Sequence, residues 1–223
     1  MKTETKATRV VPKNRRRRTD EEVQTNHAQI EERNAHFRRF GYDSEAGVAF
    51  VIEKTLPLRG RVLDIGTGKG RFLVALARHA ADVTTVDLSA REQHCARLEA
   101  AHAGVADRIR FVVRDAGSLP WRTARFAAVV SMNAVHHMDD PDRVLAEMLR
   151  VLLPGGKLVI ADFSASGFRL MDRIHRAEGR RHPHPASRFA AWRARLRSQG
   201  FRVQRFRACH QDVLVGVQHP PGP

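Results

Sequence analysis

Cysteines and long apolar runs are scarce in this 223-residue sequence. Its two cysteines, Cys95 and Cys209, are too few and too far apart for a disulfide framework or a cysteine metal site. No apolar run approaches the about 18 residues that a transmembrane helix needs, and the N-terminus lacks the apolar segment of a secretory signal. We therefore expect a cytoplasmic protein with one substantial domain, since this length is ample for one hydrophobic core and short of two.

Acidic residues are fewer than basic ones, 24 against 39, and the resulting net charge of +15 is unevenly distributed. Residues 1–20 contribute +6 and residues 169–209 contribute +10, whereas residues 21–168 carry nineteen basic and nineteen acidic side chains. We expect residues 1–20 to form a disordered basic arm, because they lack apolar periodicity. This basic arm is a candidate contact for RNA, anionic lipid or an acidic partner. The alternative is a solvated arm with no partner.

The most informative motif is a strand pattern that breaks into glycines at positions 66, 68 and 70, followed at once by a helical pattern. A dinucleotide-binding turn has the spacing Gly-x-Gly-x-x-Gly, and here the third glycine comes one position early. A phosphate-binding loop needs Gly-x4-Gly-Lys-Ser/Thr, which is absent. Asp64, just before the turn, disfavours a pyrophosphate and favours a cationic or amine-bearing ligand.

Further strand patterns follow, and several close on an acid. Asp87 ends the second pattern, about twenty residues beyond the turn, where nucleotide-binding α/β folds place a carboxylate over ribose hydroxyls. Asp115 ends the third, and a Pro-Gly-Gly turn at residues 154–156 precedes the fifth. The alternation of strand and helix patterns predicts an α/β fold with helices on both faces of a mostly parallel sheet. In such sheets ligands bind at the carboxyl ends of the strands.

In this order, the motifs over about residues 60–164 resemble the class I S-adenosylmethionine-dependent methyltransferases. The resemblance implies a Rossmann-like, seven-stranded, mostly parallel sheet with helices on both faces and an antiparallel last strand. It implies S-adenosylmethionine as the cofactor. The expected cofactor contacts are Asp64, Gly66, Thr67, Gly68 and Gly70 for the methionine part, Asp87 and Leu88 for the ribose side, Asp115 and Ala116 for the adenine, and Met132 and Asn133 for the floor of the cleft.

The segment after the fourth strand pattern bears on the acceptor. It lacks the Pro-Pro-aromatic element of nucleic-acid amino methylation and the Pro-Cys nucleophile of cytosine C5 methylation. Its His136-His137 pair resembles the small-molecule branch of the family, including ubiquinone/menaquinone-biosynthesis methyltransferases. We therefore expect His136 or His137 to act as a base or an orienter. A histidine that only bonds the backbone at a helix start is the alternative.

The resemblance implies methyl transfer to a small-molecule acceptor, with an O, N or C acceptor atom left open. One alternative is an RNA methyltransferase that uses the basic arm and the Arg-rich C-terminal third. Steep salt dependence of RNA binding would favour it. Another alternative is a cofactor-binding but catalytically silent partner protein.

The remaining segments suggest how the cleft is covered. We expect a helical lead-in over the cleft at residues 21–59, with Tyr42 lining the substrate side, and a methyltransferase domain at residues 60–218. Residues 165–187 would form a substrate-side lid that carries His175 and His182. Ser187 is expected to cap the helix that follows it, which runs to Ser198. A metal site is not expected, because the spacing of the lid histidines matches no tight ligand pattern.

Overall fold

The computed structural model describes residues 19–181 and 187–218. Within these ranges it has seven α-helices: α1 (Asp20–Arg39), α2 (Ser44–Thr55), α3 (Arg71–His79), α4 (Ala90–His102), α5 (Pro141–Val151), α6 (Ala165–Ala177) and α7 (Phe189–Ser198). The strands are β1 (Val62–Ile65), β2 (Val83–Asp87), β3 (Ile109–Val113), β4 (Phe126–Met132), β5 (Leu152–Phe163), β6 (Phe201–Ala208) and β7 (Gln211–Gln218). None of these helices is long and apolar enough to cross a membrane. All but the last two residues of the predicted basic arm lie outside the described residues.

The strands form one seven-stranded sheet in the order β3-β2-β1-β4-β5-β7-β6. Strands β1 to β5 pair in parallel, and β7 runs antiparallel between β5 and β6. This arrangement confirms the predicted Rossmann-like fold with an antiparallel last strand. The strand order reverses between β1 and β4, and open α/β sheets bind ligands in the crevice at such a reversal.

Side-chain alternation along the strands divides the core into two layers, because successive residues point to opposite faces. Val62 of β1 packs in the layer that holds α2, α3 and α4. Leu63 and Ile65 pack in the layer that holds α5 and α7. Helices therefore cover both faces of the sheet, and the carboxyl ends of β1 to β5 form a shared edge.

The chain enters this core through α1. Thr19 begins the helix with a capping box, in which the Thr19 side chain and backbone exchange hydrogen bonds with Glu22. The Asn26 side chain donates to the Cys95 carbonyl of α4 at 3.2 Å, so α1 lies against the outside of the helical layer. The helix ends at Arg39, and Asp43 caps α2. The predicted helical lead-in thus consists of two helices with a short turn at residues 40–43.

The start of α7 differs from the prediction. Ser187 was expected to cap it, but the N-cap residue is Arg188. The Ser187 hydroxyl accepts only from the Phe189 amide, at 3.5 Å. A capping side chain must reach the second or third helical amide, and Ser187 lies one residue too early to do so.

The predicted lid begins with α6, which Ser164 caps through a bond from the Gly167 amide. Its buried face carries Leu170, Met171 and Ile174, as the helical spacing predicts. Residues 182–186, which include the predicted His182, lie outside the described residues.

Candidate active site

The glycine turn lies at the crevice between β1 and β4. Gly66 has a φ angle of 84°, and a Cβ added there would lie 2.2 Å from the Ala134 Cβ. Gly68 has a φ of 49°, and a Cβ added there would meet no atom within 4 Å. Gly66 is therefore required for packing of the turn against the segment after β4, whereas Gly68 leaves open space that a ligand can enter.

One cavity, of about 520 Å³, lies between the glycine turn and the ends of β2 and β3. We call it the acid-lined cavity, because Asp87 and Asp115 both face it. Asp87 accepts from the Gly68 amide at 2.9 Å and from the Ser89 amide at 2.8 Å, so its carboxylate is fixed beside the turn. The other predicted residues that line the acid-lined cavity are Gly66, Gly68, Leu88, Ala116, Asn133 and His137.

A second cavity, of about 430 Å³, lies on the other side of the turn beneath α1, α2 and α6, and we call it the helix-covered cavity. Its predicted residues are Tyr42, Gly66, Thr67, Gly70, Met132, Asn133, His136, His137 and His175. Gly66, Asn133 and His137 line both cavities. The two cavities are therefore neighbouring parts of one cleft, and they bring together most of the predicted site residues.

Asp64 lies elsewhere. It is 1% exposed, beneath the glycine turn, and lines neither cavity. The Thr85 hydroxyl donates to Asp64 Oδ2 at 2.7 Å, and Thr67 shares a 2.6 Å hydrogen bond with Thr85. Burial raises the pKa of Asp64 to about 7. The structure thus places Asp64 in a polar network that supports the turn from below.

The two adjacent histidines differ in their surroundings. His136 is 8% exposed, and its Nδ1 lies 2.6 Å from Asp162 Oδ1 at the end of β5. A carboxylate only accepts hydrogen bonds, so this contact places the proton on Nδ1 and leaves Nε2 as the basic nitrogen. Burial, with a contribution from His136, lowers the pKa of His137 to about 4. His137 is therefore neutral at neutral pH.

The substrate-side candidates line the helix-covered cavity from above. Tyr42 is buried, receives a hydrogen bond from Gln211 Nε2 at 3.2 Å and packs edge-on against Phe37 and Phe163. Burial raises the pKa of Tyr42 to about 12, so its hydroxyl stays protonated. Burial also lowers the pKa of His175.

Glu178, near His175, holds α6 to α1 by binding Arg33 and His36, and it also binds Arg180. Within residues 19–181 and 187–218, no group of three or more His, Cys, Asp or Glu side chains is placed to hold a metal ion.

The sequence interpretation missed two residues of this cleft. Asp162 closes β5 with an acid, as Asp87 and Asp115 do for their strands, so its position carried a usable signal. Arg71 directly follows the glycine turn and lines the helix-covered cavity. A charged residue at the start of an otherwise apolar helix was the signal there.

Comparison with known proteins finds similarity in the middle of the chain. Residues 63–160 match the family described as a methyltransferase domain. The 27-O-demethylrifamycin SV methyltransferase of Amycolatopsis mediterranei is 39% identical over 111 residues, which are 48% of this chain and 41% of that protein. The ubiquinone/menaquinone biosynthesis C-methyltransferase of Geobacter sulfurreducens is 34% identical over 119 residues, 52% of this chain and 46% of that protein. The chain thus spans less than half the length of these relatives.

Similarity to solved structures extends over more of the chain. A structure described as a putative S-adenosyl-L-methionine-dependent methyltransferase from Methanococcus maripaludis superposes with a TM-score of 0.64. The superposition covers 90% of this chain and 94% of that one, at 20% sequence identity. At this identity the similarity concerns the fold.

Proposed function

We propose that this protein transfers the methyl group of S-adenosylmethionine to a small-molecule acceptor, because residues 63–160 match the family described as a methyltransferase domain. The relatives named above are named for small molecules, a demethylrifamycin in one case and ubiquinone or menaquinone in the other. Neither is named for RNA. The observation that carries the proposal is a cleft at the β1–β4 reversal, with an open glycine backbone on one side and a His–Asp pair on the other.

The cleft fits this cofactor without requiring a phosphate site. Gly68 leaves space against the backbone, and Asp87 is held where a carboxylate would accept from ribose hydroxyls. We propose that the acid-lined cavity holds the adenosine, through Asp87, Leu88, Asp115 and Ala116, and that the helix-covered cavity holds the methionine part, over Gly66, Thr67, Gly68, Gly70, Met132 and Asn133. Asp64 would support the glycine turn from beneath, through its hydrogen bond from Thr85. When bound, the cofactor supplies an electrophilic methyl group on its sulfonium.

In this proposal His136 acts as the general base and Asp162 as its positioning residue. The 2.6 Å contact to Asp162 fixes the imidazole tautomer, and His136 lines the helix-covered cavity. A base is needed only when the acceptor carries a proton, so the pair favours a hydroxyl acceptor. His136 Nε2 would take the proton of the acceptor hydroxyl, so that the oxygen could accept the methyl group while the sulfonium–methyl bond breaks and S-adenosylhomocysteine leaves. Neutral His137 would orient the acceptor. Residues 21–59 and α6 would cover the bound acceptor.

Labelled-methyl transfer into fractionated cell extract tests this function. We expect transfer that resists RNase and falls about 10²- to 10⁴-fold in His136→Gln, the range typical of general-base loss. Asp162→Asn should lose about 10- to 100-fold, because the tautomer is no longer fixed. S-adenosylhomocysteine affinity, measured by calorimetry, should stay the same in both variants.

His79→Gln is the matched control, since His79 is an exposed histidine at the end of α3. It should keep full transfer. Transfer that RNase abolishes would establish an RNA acceptor, and cofactor binding without transfer to any fraction would indicate a silent partner protein. Full transfer in both His136→Gln and Asp162→Asn would exclude the His–Asp pair as the base.

A further inference from the structure

Arg71 is a partly buried cation whose hydrogen-bonding capacity is only partly used. It is the first residue of α3, directly after the glycine turn, and it lines the helix-covered cavity. Its Nε donates to Asn34 Oδ1 at 2.8 Å. Its Nη2 is buried and makes no hydrogen bond to any residue of the described part of the chain. The guanidinium therefore has a donor that no described residue uses, on a side chain that lines the cavity.

The electrostatic surroundings of Arg71 lack a direct counter-ion. Arg33 and Arg180, which line the same cavity, both bind Glu178. Arg71 has no ion pair within residues 19–181 and 187–218. Burial lowers the pKa of Arg71 and Arg33 adds to this effect, whereas Glu99 and Glu31 oppose it from a distance.

A buried charge without a partner is costly, so this site gains most from an anion. The amino end of α3 adds positive potential at the same place. The glycine turn of residues 66–70 forms the adjacent wall, where the proposed function puts the methionine part of the cofactor.

We propose that Arg71 binds the carboxylate of the methionine part of S-adenosylmethionine. This assignment rests on the proposed function, and it concerns one end of the cofactor that the adenosine contacts do not reach. A guanidinium–carboxylate contact is a charge-assisted hydrogen bond, about twice as strong as a neutral one. It would neutralise Arg71 and satisfy the available donor together.

Asn34 of α1 positions Arg71 for this role. Asn34 Oδ1 accepts from Arg71 Nε and also from Ser44 Oγ of α2 at 3.1 Å, while Asn34 Nδ2 donates to Glu31 at 3.1 Å. Asn34 is 3% exposed. One buried amide thus ties the guanidinium to both lead-in helices, so carboxylate binding at Arg71 is coupled to the packing of α1 and α2.

Calorimetry with two probes tests the assignment on the full chain. S-adenosylhomocysteine carries the carboxylate, and decarboxylated S-adenosylhomocysteine keeps the ammonium and the nucleoside but lacks it. Arg71→Gln should weaken S-adenosylhomocysteine about 10- to 100-fold, the range for hydrogen bonds to charged groups. It should change the affinity for the decarboxylated probe less than about twofold. Arg71→Lys keeps the charge without the planar fork and should show an intermediate loss.

Arg78→Gln is the matched control, because Arg78 is an exposed arginine on the same helix outside the helix-covered cavity. It should bind both probes as the unchanged protein does. Equal weakening of both probes by Arg71→Gln would overturn the assignment, and so would unchanged S-adenosylhomocysteine affinity. If Arg71→Gln does not fold, Arg71→Lys decides by the same comparison. Failure of the unchanged protein to bind either probe would contradict the proposed function itself.

Discussion

Gly66 and Gly68 are two residues apart in one turn, and both have positive φ angles, 84° and 49°. A positive φ disfavours any residue with a Cβ by about 1–2 kcal/mol. The space around the two residues differs, since only the Cβ at position 66 would clash with Ala134. The same substitution at the two positions therefore separates packing from ligand approach.

Gly66→Ala should lower the free energy of unfolding by about 2–4 kcal/mol, because overpacking adds to the backbone strain. Gly68→Ala should cost only about 1–2 kcal/mol of stability. It should nevertheless weaken S-adenosylhomocysteine about tenfold or more, since one misplaced methyl group at a close contact costs about 1–3 kcal/mol. Urea unfolding and calorimetry measure the two effects.

Gly104→Ala controls for backbone strain alone. Gly104 has a φ of 68°, and an added Cβ would meet nothing within 4 Å. It follows α4 and lies outside both cavities. It should match Gly68→Ala in stability and keep full affinity. Equal S-adenosylhomocysteine affinity in Gly68→Ala and Gly104→Ala would contradict a ligand position against Gly68.

Single residues were predictable where the signal was local. The glycine turn and the acids after β2 and β3 stand at fixed distances along the chain, so the sequence identified them. The partner of His136 is Asp162, which is 26 residues away. The shared edge of β4 and β5 brings the two together, and only the folded register reveals it. The hydrogen bonding of Arg71 likewise depends on α1, because Asn34 of that helix binds Nε and leaves Nη2 without a partner among the described residues. Local spacing does not determine the position of α1.

At the scale of elements, Glu178 joins the end of α6 to α1. Its side chain is 16% exposed and binds Arg33 of α1. His36 of α1 adds a 2.9 Å contact, and Arg180 binds the same carboxylate from beyond the helix. The hydrogen bonds from Arg33, above all, lower the pKa of Glu178 to about 2. Helices α1 and α6 lie on the outer side of the helix-covered cavity. The contacts of Glu178 therefore hold these two helices together at that side.

Glu178→Gln should lower the free energy of unfolding by about 1–3 kcal/mol at pH 7, because the charge-assisted bonds are lost. The folded-state pKa lies below the ordinary value of 4.5. The contribution is therefore present above pH 4.5 and is lost as the pH falls from 4.5 toward 2. Urea unfolding at pH 7 and pH 3 should show a large difference between the two proteins at pH 7 and a smaller one at pH 3.

Glu45→Gln provides the comparison. The Arg38–Glu45 pair also joins two elements, but it spans 3.7 Å and its side chains are 44% and 64% exposed. Exposed pairs contribute about 0–1 kcal/mol, so this variant should unfold nearly as the unchanged protein does at both pH values. A difference for Glu178→Gln that does not shrink at pH 3 would show that it acts by packing rather than by charge.

The presence of helices and strands was more predictable than the pairing of strands within the sheet. Strands β1 to β5 and the helices between them follow from apolar runs closed by polar residues, because each β/α unit forms its pattern locally. The antiparallel direction of β7 is not a local signal, and its prediction came from the family resemblance. The insertion of β7 between β5 and β6 was not predicted. The start of α7 was placed one residue early, because a serine before an apolar run has the composition of a cap whether or not its oxygen reaches the right amide.

At the scale of the whole molecule, part of the excess positive charge lies on the edge strand β6, outside both cavities of the cleft. Residues 169–209 account for +10 of the net charge, and Arg202, Arg205 and Arg207 are exposed on β6. Strand β6 is an edge of the sheet. Charged side chains on an edge strand prevent pairing with the edges of other molecules. This role accounts for the arginines of β6 without a nucleic-acid partner.

The cleft joins β1, β2, β4, α1, α2 and α6, so a ligand that fills it should stabilise the molecule as a unit. At 100 times its Kd, a ligand that binds only the folded state adds about 2.7 kcal/mol. For a domain of this size that corresponds to a rise in Tm of about 5–11 °C. Differential scanning calorimetry should show this rise with S-adenosylhomocysteine and none with NAD at the same concentration. A rise in Tm with NAD alone would mean that the cleft binds a dinucleotide. The early third glycine of the turn would then not exclude such a ligand.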